Sequence, residues 1–364
     1  MATQLPPLAQ SADRPLNIKE QAARNAATVK ADYRLKENLC AIDIKVGVFF
    51  DGTNNNKKRD QEDVLKDGGN PNACSHSNVV VLHDTFPDDQ KNGFFRIYVP
   101  GVGTPFPEIK ELTESQDGKA KGTGGDARIN WALIQVLNSM HYSIHIERLI
   151  PPAQAGTDST TGPMHFPLAT DSNWLGKKQY FATQLAKLKP KLASRPPKKL
   201  ASVTVYVFGF SRGAAQARAF CHFLERSLLE KEGENYTLAG VPFRLQFLGL
   251  FDTVASVGLA DASPTHRGLG GWANGTLEIA PCVERTVHLV AAHEIRVNFP
   301  LSSVRIGKDK LPRNTVEKVY PGAHSDVGGG YAPRSQGKSD TRSKLLSQMP
   351  LLDMYREARV AGVP

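Results

Sequence analysis

The chain has 364 residues, a formal net charge of +9 at pH 7 and an apolar fraction of 40%, enough to build a substantial buried core. No apolar run approaches the roughly 18 to 20 residues that span a bilayer. The first ten residues also lack the basic start and apolar core of a secretory signal peptide. The composition therefore predicts a globular protein that is neither an integral membrane protein nor a substrate of the general secretion pathway.

The cysteines and the basic residues bear on compartment and partners. The cysteines are far apart and form no Cys-x-x-Cys pair, which predicts no structural zinc site, no disulfide scaffold and synthesis in a reducing cytoplasm. A solvated surface is the commoner reason for a cluster of basic residues, and binding to an anionic surface, either phospholipid headgroups or nucleic acid, is the alternative. Much of the positive charge lies in one such cluster: Lys187, Lys189, Lys191, Arg195, Lys198 and Lys199.

The chain begins with a polar, alanine-rich stretch. Residues 1–40 predict an N-terminal extension, with one amphipathic helix over residues 18–39. The apolar run over residues 41–50 predicts a buried parallel strand that leads into Asp51-Gly52-Thr53. Phosphatases of the haloacid dehalogenase type have a similar turn, but Phe49 stands where their nucleophilic aspartate would be, which excludes that chemistry. In a serine hydrolase this loop supplies a backbone N–H to the oxyanion, here near Gly52.

Strands and helices alternate in the next part of the chain. Residues 94–99 predict a second strand, and Pro100 to Thr104 predict a turn because no complete phosphate-binding motif follows. Asp126 is the predicted N-cap of a helix with apolar residues at helical spacing. Prolines, glycines and polar residues at about 151–200 predict a loop-rich insertion over the active site, with a short helix at residues 177–188.

The pattern that most directly indicates chemistry lies in residues 202–215. A β-branched and aromatic run ends in Gly-Phe-Ser-Arg-Gly, and helical spacing follows at once. This has the form of a nucleophile elbow, a strained turn that holds a serine where a base and backbone N–H groups reach it. Gly209 and Gly213 have no Cβ, which permits close packing of helix on strand. Ser211 is therefore the candidate nucleophile, and the N–H of Arg212 is the candidate oxyanion donor beside Gly52.

Three further strands are predicted over residues 243–251, 286–297 and 315–320, and a last helix over residues 344–358. Strands that alternate with helices and end in Gly or Asp turns predict a mostly parallel sheet. Together with the nucleophile elbow, they predict an α/β-hydrolase-like fold. This fold has a mostly parallel central sheet, helices on both faces, and functional loops at the carboxyl edge. Residues 41–364 are the predicted catalytic domain.

An elbow serine in this fold requires an acid and then a histidine later in the chain, each on a loop after a strand. His324 is the downstream histidine that follows a clear strand and lies among glycines. His288 and His293 stand inside apolar segments, where a buried structural histidine is the commoner outcome. His324 is therefore the favoured base, with the other two as alternatives.

For the acid, Asp252 at the end of a predicted strand fits best. Asp326 and Asp261 are the alternatives, and Asp326 has a second interpretation as a cap or orienting group of the His324 loop.

Five ordered motifs within residues 46–331 resemble those of the bacterial α/β-hydrolase family that includes the type VI secretion phospholipase effectors of the first lipase class. They are Phe-Phe-Asp-Gly-Thr-Asn-Asn, Pro-Gly-Val-Gly-Thr, Gly-Phe-Ser-Arg-Gly-Ala-Ala, Phe-Asp-Thr-Val-Ala-Ser and Pro-Gly-Ala-His-Ser-Asp-Val-Gly-Gly-Gly-Tyr. The resemblance implies phospholipase A activity. It matches Ser211 and His324 to the nucleophile and base and favours Asp252 as the acid. The resulting mechanism requires no metal and no organic cofactor.

The resemblance also implies partners and a place of action. They are a phospholipid substrate at a peripheral membrane surface, a type VI secretion spike protein and a cognate immunity protein, with no nucleic acid. Synthesis in the bacterial cytoplasm and delivery into a rival cell's periplasm are expected. Members are usually longer, so a fragment or a short member is expected, and a membrane-docking region farther on is in question. A hydrolase of soluble esters and a non-catalytic binding or adaptor module are the alternatives, and the intact Ser/Asp/His set argues against the module.

Overall fold

A computed structural model describes residues 15–32, 41–161, 174–193, 199–257, 271–307, 310–335 and 339–364. Within these ranges eight strands form one sheet: β1 Ala41–Phe50, β2 Phe94–Val99, β3 Lys199–Phe210, β4 Leu229–Glu232, β5 Asn235–Leu238, β6 Val241–Phe251, β7 Thr286–Ala291 and β8 Thr315–Tyr320. The α-helices are α1 Ile18–Asp32, α2 Asp63–Leu65, α3 Asn78–Thr85, α4 Gln116–Lys121, α5 Gly125–His145, α6 Pro152–Thr160, α7 Trp174–Ala193, α8 Arg212–Leu228, α9 His324–Gly328 and α10 Gln348–Val360.

The core of the sheet is parallel, in the order β2-β1-β3-β6-β7-β8. Val46 at the centre of β1 pairs with Phe95 of β2 on one side and Val205 of β3 on the other. β4 and β5 form an antiparallel hairpin that pairs with the first residues of β6. The chain leaves β1 toward one edge of the sheet and β3 toward the other, so the carboxyl ends of these two strands flank the point where open α/β sheets bind ligands.

Helices cover both faces of the central strands, because side chains that alternate along each strand are buried on both sides. Val46 and Val205 belong to the core on the face covered by α5, α7 and α8. On the opposite face, the rings of Phe49 and Phe208 stack with their centroids 5.1 Å apart, and α3 and α10 cover that core. This architecture confirms the α/β-hydrolase-like class.

Several element boundaries differ from the predictions. Gly124, rather than Asp126, is the N-cap of α5. The strand predicted over residues 286–297 ends at Ala291, which pairs with Tyr320, the last residue of β8. Beyond that pair the neighbouring strand has ended, so residues 292–300 form a loop instead. The predicted N-terminal helix ends at Asp32, and residues 33–40 lie outside the described part.

The described part of the predicted insertion is mostly helical. Helices α6 and α7 pack against α5, and α7 also packs against α8, with Phe181 and Leu188 fully buried. None of its described residues lines the cavity at the carboxyl edge, so the expected cover over the active site is not found there. A lysine of α7 is also buried: Lys177 Nζ donates to Asp126 Oδ1 at 2.7 Å.

The described lysines of the basic cluster are exposed and lie where α7 ends and β3 begins. This is the amino-terminal edge of the sheet. A strand of the length of β3 spans about 36 Å, so these lysines and Ser211 lie at opposite ends of it. Arg195 and Lys198 lie outside the described residues. No helix in the described ranges combines the length and the apolar character that a membrane span needs.

Candidate active site

Ser211 stands between the end of β3 and the first residue of α8, in the predicted sharp turn. Its backbone has φ 58° and ψ −127°, a conformation that a non-glycine residue keeps only where its surroundings enforce it. The Ser211 N–H donates to the Phe251 carbonyl at 3.0 Å, and the Ser211 carbonyl accepts from the Val254 N–H at 3.3 Å. Two backbone hydrogen bonds therefore hold the strained turn against the end of β6 and the residues that follow it.

The two glycines of the elbow are required by close backbone packing. A Cβ on Gly209 would lie 2.5 Å from the carbonyl oxygen of Gly213. A Cβ on Gly213 would lie 2.4 Å from the carbonyl oxygen of Phe50 and 2.3 Å from that of Asp51. A side chain at either position would push α8 away from the sheet.

Asp252 and His324 meet at the same edge of the sheet, and both side chains are buried. Asp252 directly follows β6, and His324 opens α9 after β8. The Nδ1–H of His324 donates to Asp252 Oδ2 at 2.6 Å, and the N–H of Ala291 donates to Asp252 Oδ1 at 2.8 Å. Because a carboxylate only accepts, the contact places the imidazole proton on Nδ1 and leaves Nε2 able to take a proton.

Aromatic rings fix the orientation of the His324 imidazole. The Phe210 ring lies 4.6 Å away between centroids, and the Phe299 ring lies 5.1 Å away in a T-shaped contact. The N–H of His324 donates to Glu294 Oε2 at 3.1 Å. Sequence reasoning did not find Glu294, which belongs to the segment that was predicted to continue β7, or Phe299, which follows that segment.

The alternative acids are placed differently. Asp326 Oδ2 accepts from the Ala323 N–H at 2.9 Å, so Asp326 caps the helix that begins at His324. This is its second predicted role, while Asp252 is the carboxylate that reaches the imidazole. Asp261 lies outside the described residues.

The alternative histidines have other partners. His288 is fully buried, and its Nδ1–H donates to Glu317 Oε2 at 3.0 Å while its Nε2 accepts from the Thr253 N–H at 3.1 Å. Burial lowers the pKa of His288, which keeps the ring neutral. His293 is exposed, and its Nδ1 accepts from the Gly322 N–H at 3.0 Å. The expectation of a buried structural histidine therefore holds for His288 and is wrong for His293.

Ser211 and His324 line one open cavity of about 490 Å³ at the carboxyl edge of the sheet. The loop after β1 forms one wall of this cavity, and the loops after β7 and β8 form the other walls. A larger cavity of about 630 Å³ lies at the opposite edge of the sheet, near Arg244 and Glu284. Neither Ser211 nor His324 lines this larger cavity. Within the described ranges, no group of three His, Cys, Asp or Glu side chains is placed to hold a metal ion.

The predicted oxyanion donors differ in what they offer. The N–H of Gly52 donates to Asp51 Oδ1 at 2.8 Å and is therefore engaged. The next N–H in this loop, that of Thr53, has no hydrogen-bond partner among the described residues. Arg212 opens α8, and the first N–H groups of a helix have no acceptor within the helix. The loop therefore offers Thr53 rather than Gly52 as a second donor beside Arg212.

The side chain of Arg212 has a role that the sequence did not reveal. Burial lowers the pKa of its guanidinium to about 10, so the group stays charged at neutral pH. Its donors reach Ser256 O at 2.8 Å, Ala120 O at 3.0 Å and Thr53 Oγ1 at 3.1 Å, and also the carbonyl of Lys119. One side chain thus joins the loop after β1, the loop after β6 and the helix α4 around the elbow. The sequence feature that could have indicated this role is a charged residue inside a motif of otherwise apolar and small residues.

Asp51, at the end of β1, is a second buried group that the sequence did not assign. Its carboxylate accepts from the Ser77 and Tyr98 hydroxyls, both at 2.6 Å, and from the Gly52 N–H. Burial raises the pKa of Asp51 to about 6 despite these hydrogen bonds. The network fixes the loop after β1 to β2 and to the start of α3.

Comparisons with known proteins place the chain in a family. The family model described as "T6SS, Phospholipase effector Tle1-like, catalytic domain" matches residues 45–239 and 229–357. A crystal structure of an uncharacterized protein from Pseudomonas aeruginosa is 33% identical with a TM-score of 0.83, covering 99% of this chain and 52% of that one. A structure of the Tle1 effector bound to the VgrG spike from the Type 6 secretion system is 21% identical with a TM-score of 0.42, covering 82% of this chain and 53% of that one.

No curated protein matches the chain significantly. The chain spans about half the length of the solved structures that it matches. The family match covers most of the chain and includes the segments that carry Ser211, Asp252 and His324. The resemblance of the five motifs is therefore confirmed, and the chain belongs to the family of Tle1-like type VI secretion phospholipase effectors.

Proposed function

We propose that this chain is a serine-dependent phospholipase A that hydrolyses acyl esters of glycerophospholipids. The observation that carries the proposal is the 2.6 Å hydrogen bond between His324 Nδ1 and Asp252 Oδ2, at the cavity that Ser211 also lines. This combination supplies a nucleophile on an elbow, a base in the correct tautomer and an acid that stabilises the charged base. The family membership supports the same reaction class.

In the proposed mechanism, Ser211 Oγ attacks the ester carbonyl carbon while His324 Nε2 takes the hydroxyl proton. The negative oxygen of the tetrahedral intermediate accepts hydrogen bonds from the backbone N–H groups of Arg212 and Thr53. Asp252 stabilises the imidazolium, which then donates its proton to the leaving alcohol of the lysophospholipid. Water attacks the acyl-serine by the same route and releases the fatty acid. The scheme uses no cofactor.

We extend the proposal to the biological setting that the family description names. The protein is made in the bacterial cytoplasm, travels on a type VI secretion spike protein and acts at the membrane from the periplasm of the target cell. An enzyme that cleaves the lipids common to all bacterial membranes endangers its producer, so a cognate immunity protein blocks it there.

The experiment that tests the proposal is mass spectrometry of mixed phospholipid vesicles after incubation with the protein. Wild type should release lysophospholipid and fatty acid, and Ser211→Ala should lower that rate by a factor on the order of 10⁴. A matched control is Ser139→Ala, which removes a buried helical serine whose hydroxyl donates to the Gln135 carbonyl. It should retain activity.

The other readings give different results in the same experiment. Cleavage of a soluble ester without lysophospholipid would identify a hydrolase of soluble esters. Vesicle binding without cleavage of either substrate would identify a binding or adaptor module. Activity of Ser211→Ala within tenfold of wild type, at an unchanged melting temperature, would rule out the serine mechanism.

A further inference from the structure

The loop that follows β7 exposes two large aliphatic side chains. Ile295 is 91% exposed and Val297 is 86% exposed, among the highest values for large apolar residues in the described part. They flank Arg296 in a tight turn, in which the Phe299 N–H donates to the Arg296 carbonyl at 3.0 Å. Residues 294–299 are called the apolar loop below.

The apolar loop is part of the wall of the candidate active site. Arg296 and Phe299 line the same cavity as Ser211 and His324. Ile295 and Val297 are the chain neighbours of Arg296 and are therefore exposed next to the wall of that cavity.

The apolar loop is also held in place by charge and aromatic contacts. Arg296 pairs with Glu294 through two nitrogens, at 2.7 and 2.8 Å, and lies 3.8 Å from the centre of the Phe299 ring. The pairing with Arg296 holds the pKa of Glu294 down, at about 2. Because Glu294 also accepts from the His324 N–H, the loop has a fixed position relative to the catalytic edge.

Single exposed aliphatic side chains are ordinary on protein surfaces. Here two of them bracket a cation at the entrance to a site that needs a lipid substrate. At a membrane interface, aliphatic side chains enter the acyl-chain region of the bilayer, whereas the guanidinium of an arginine stays at the level of the phosphates. The sequence Ile295-Arg296-Val297 offers both kinds of side chain, two aliphatic groups on either side of one guanidinium.

The basic cluster near the start of β3 does not serve the same purpose. A bilayer that touches those lysines faces the amino-terminal edge, about 36 Å of strand away from Ser211. Lipid that reaches Ser211 meets the apolar loop instead.

We propose that residues 294–299 dock the protein onto a phospholipid bilayer, with Ile295 and Val297 inserted among the acyl chains and Arg296 beside a headgroup phosphate. This inference rests on the proposed function, because a phospholipid substrate brings a bilayer to this edge of the sheet. It assigns lipid contact to a loop within the catalytic domain.

The test measures binding to vesicles of phosphatidylcholine and phosphatidylglycerol by co-sedimentation, in the Ser211→Ala background so that lipid is not consumed. Burial of one aliphatic side chain contributes on the order of a tenfold factor in partitioning. The double variant Ile295→Ser/Val297→Ser should therefore bind at least about tenfold more weakly. The matched control is Ile146→Ser, which removes an isoleucine that is 75% exposed at the far end of α5 and should bind unchanged.

A second variant reports on the environment of the loop directly. The indole of Val297→Trp should fluoresce as a solvated group in buffer and shift to shorter wavelength when vesicles are added. Emission that is already at short wavelength in buffer would show that protein covers the loop, as in packing against further parts of a longer chain, and would overturn the proposal. Unchanged binding by the double variant would overturn it as well.

The outcomes separate this inference from the proposed function. If wild type cleaves no phospholipid while vesicle binding still depends on Ile295 and Val297, the docking loop stands and the phospholipase assignment fails. If wild type cleaves phospholipid and the double variant binds like its parent, the docking loop alone fails.

Discussion

Replacing Asp252 by asparagine tests the proposed catalytic group most sharply, because the structure dictates how the amide must turn. In the native protein, Asp252 Oδ1 accepts from the Ala291 N–H at 2.8 Å and Oδ2 accepts from His324 Nδ1 at 2.6 Å. The Ala291 N–H can only donate, so the amide oxygen of the asparagine stays with it. The amide NH₂ group must then face His324 Nδ1.

This orientation inverts the tautomer of the histidine. With an NH₂ donor at Nδ1, the imidazole carries its proton on Nε2 and cannot accept the proton of Ser211. The lost stabilisation of the imidazolium adds to the effect. In triads of this kind, the change lowers kcat by about 10⁴, which corresponds to about 5 kcal/mol in the activation free energy. We expect a loss of this size for Asp252→Asn.

The measurement is steady-state hydrolysis of a soluble p-nitrophenyl ester, which removes vesicle binding from the comparison. Asp326→Asn is the matched control, because an amide oxygen can still accept the 2.9 Å hydrogen bond from the Ala323 N–H. We expect its kcat to stay within about tenfold of wild type. If Asp326→Asn proved the more damaging change, or if Asp252→Asn kept kcat within tenfold of wild type, the tautomer argument would be refuted.

Three further predictions concern the elements around the elbow. Asp51 has a pKa of about 6 in the folded protein, above its ordinary 3.8. The folded state therefore binds the proton more tightly than the unfolded state, and the free energy of unfolding falls as pH rises from 3.8 through about 6. Urea unfolding should show that Asp51→Asn removes about 3 kcal/mol of this decline, and an unaltered slope would contradict it. Gly213→Ala should lower the melting temperature by several degrees, at a cost of at least about 2 kcal/mol, because its Cβ would meet backbone oxygens at 2.3 and 2.4 Å. Arg212→Lys keeps the backbone N–H donor but loses the guanidinium hydrogen bonds to Ser256 and Thr53, so kcat should fall by about ten- to a hundredfold. A change in KM with kcat unaltered would contradict this prediction.

Strand positions were the part of the fold most open to prediction from the sequence. Strands buried on both faces are continuous apolar runs, and β1, β2 and β8 have the predicted bounds. The end of β7 was not predictable in this way, because the strand stops where its partner stops, at Tyr320. That limit depends on a pairing between distant segments. It also placed Arg296, which was predicted as a strand residue, in the wall of the cavity, together with Phe299 from the same loop.

The elbow could be identified locally, since a strand, a Gly-x-Ser-x-Gly turn and a helix are contiguous in the chain. The same local pattern explains why Gly209 and Gly213 were assigned to close packing, which the backbone distances bear out. The residue types that could assist Ser211 were also visible, as a histidine and aspartates after strands. Sequence alone thus predicted a reaction class and a short set of candidate residues.

Tertiary structure decided which candidates meet. Asp252 and His324 are 72 positions apart, and they come together because β6, β7 and β8 are parallel neighbours whose carboxyl ends share one edge. Hydrogen-bond partners decided the remaining details of the site. The Gly52 N–H donates to Asp51, and the Arg212 guanidinium binds the segments around the elbow. Such partners are set by three-dimensional proximity and by the need to satisfy buried polar groups, which a linear pattern does not record.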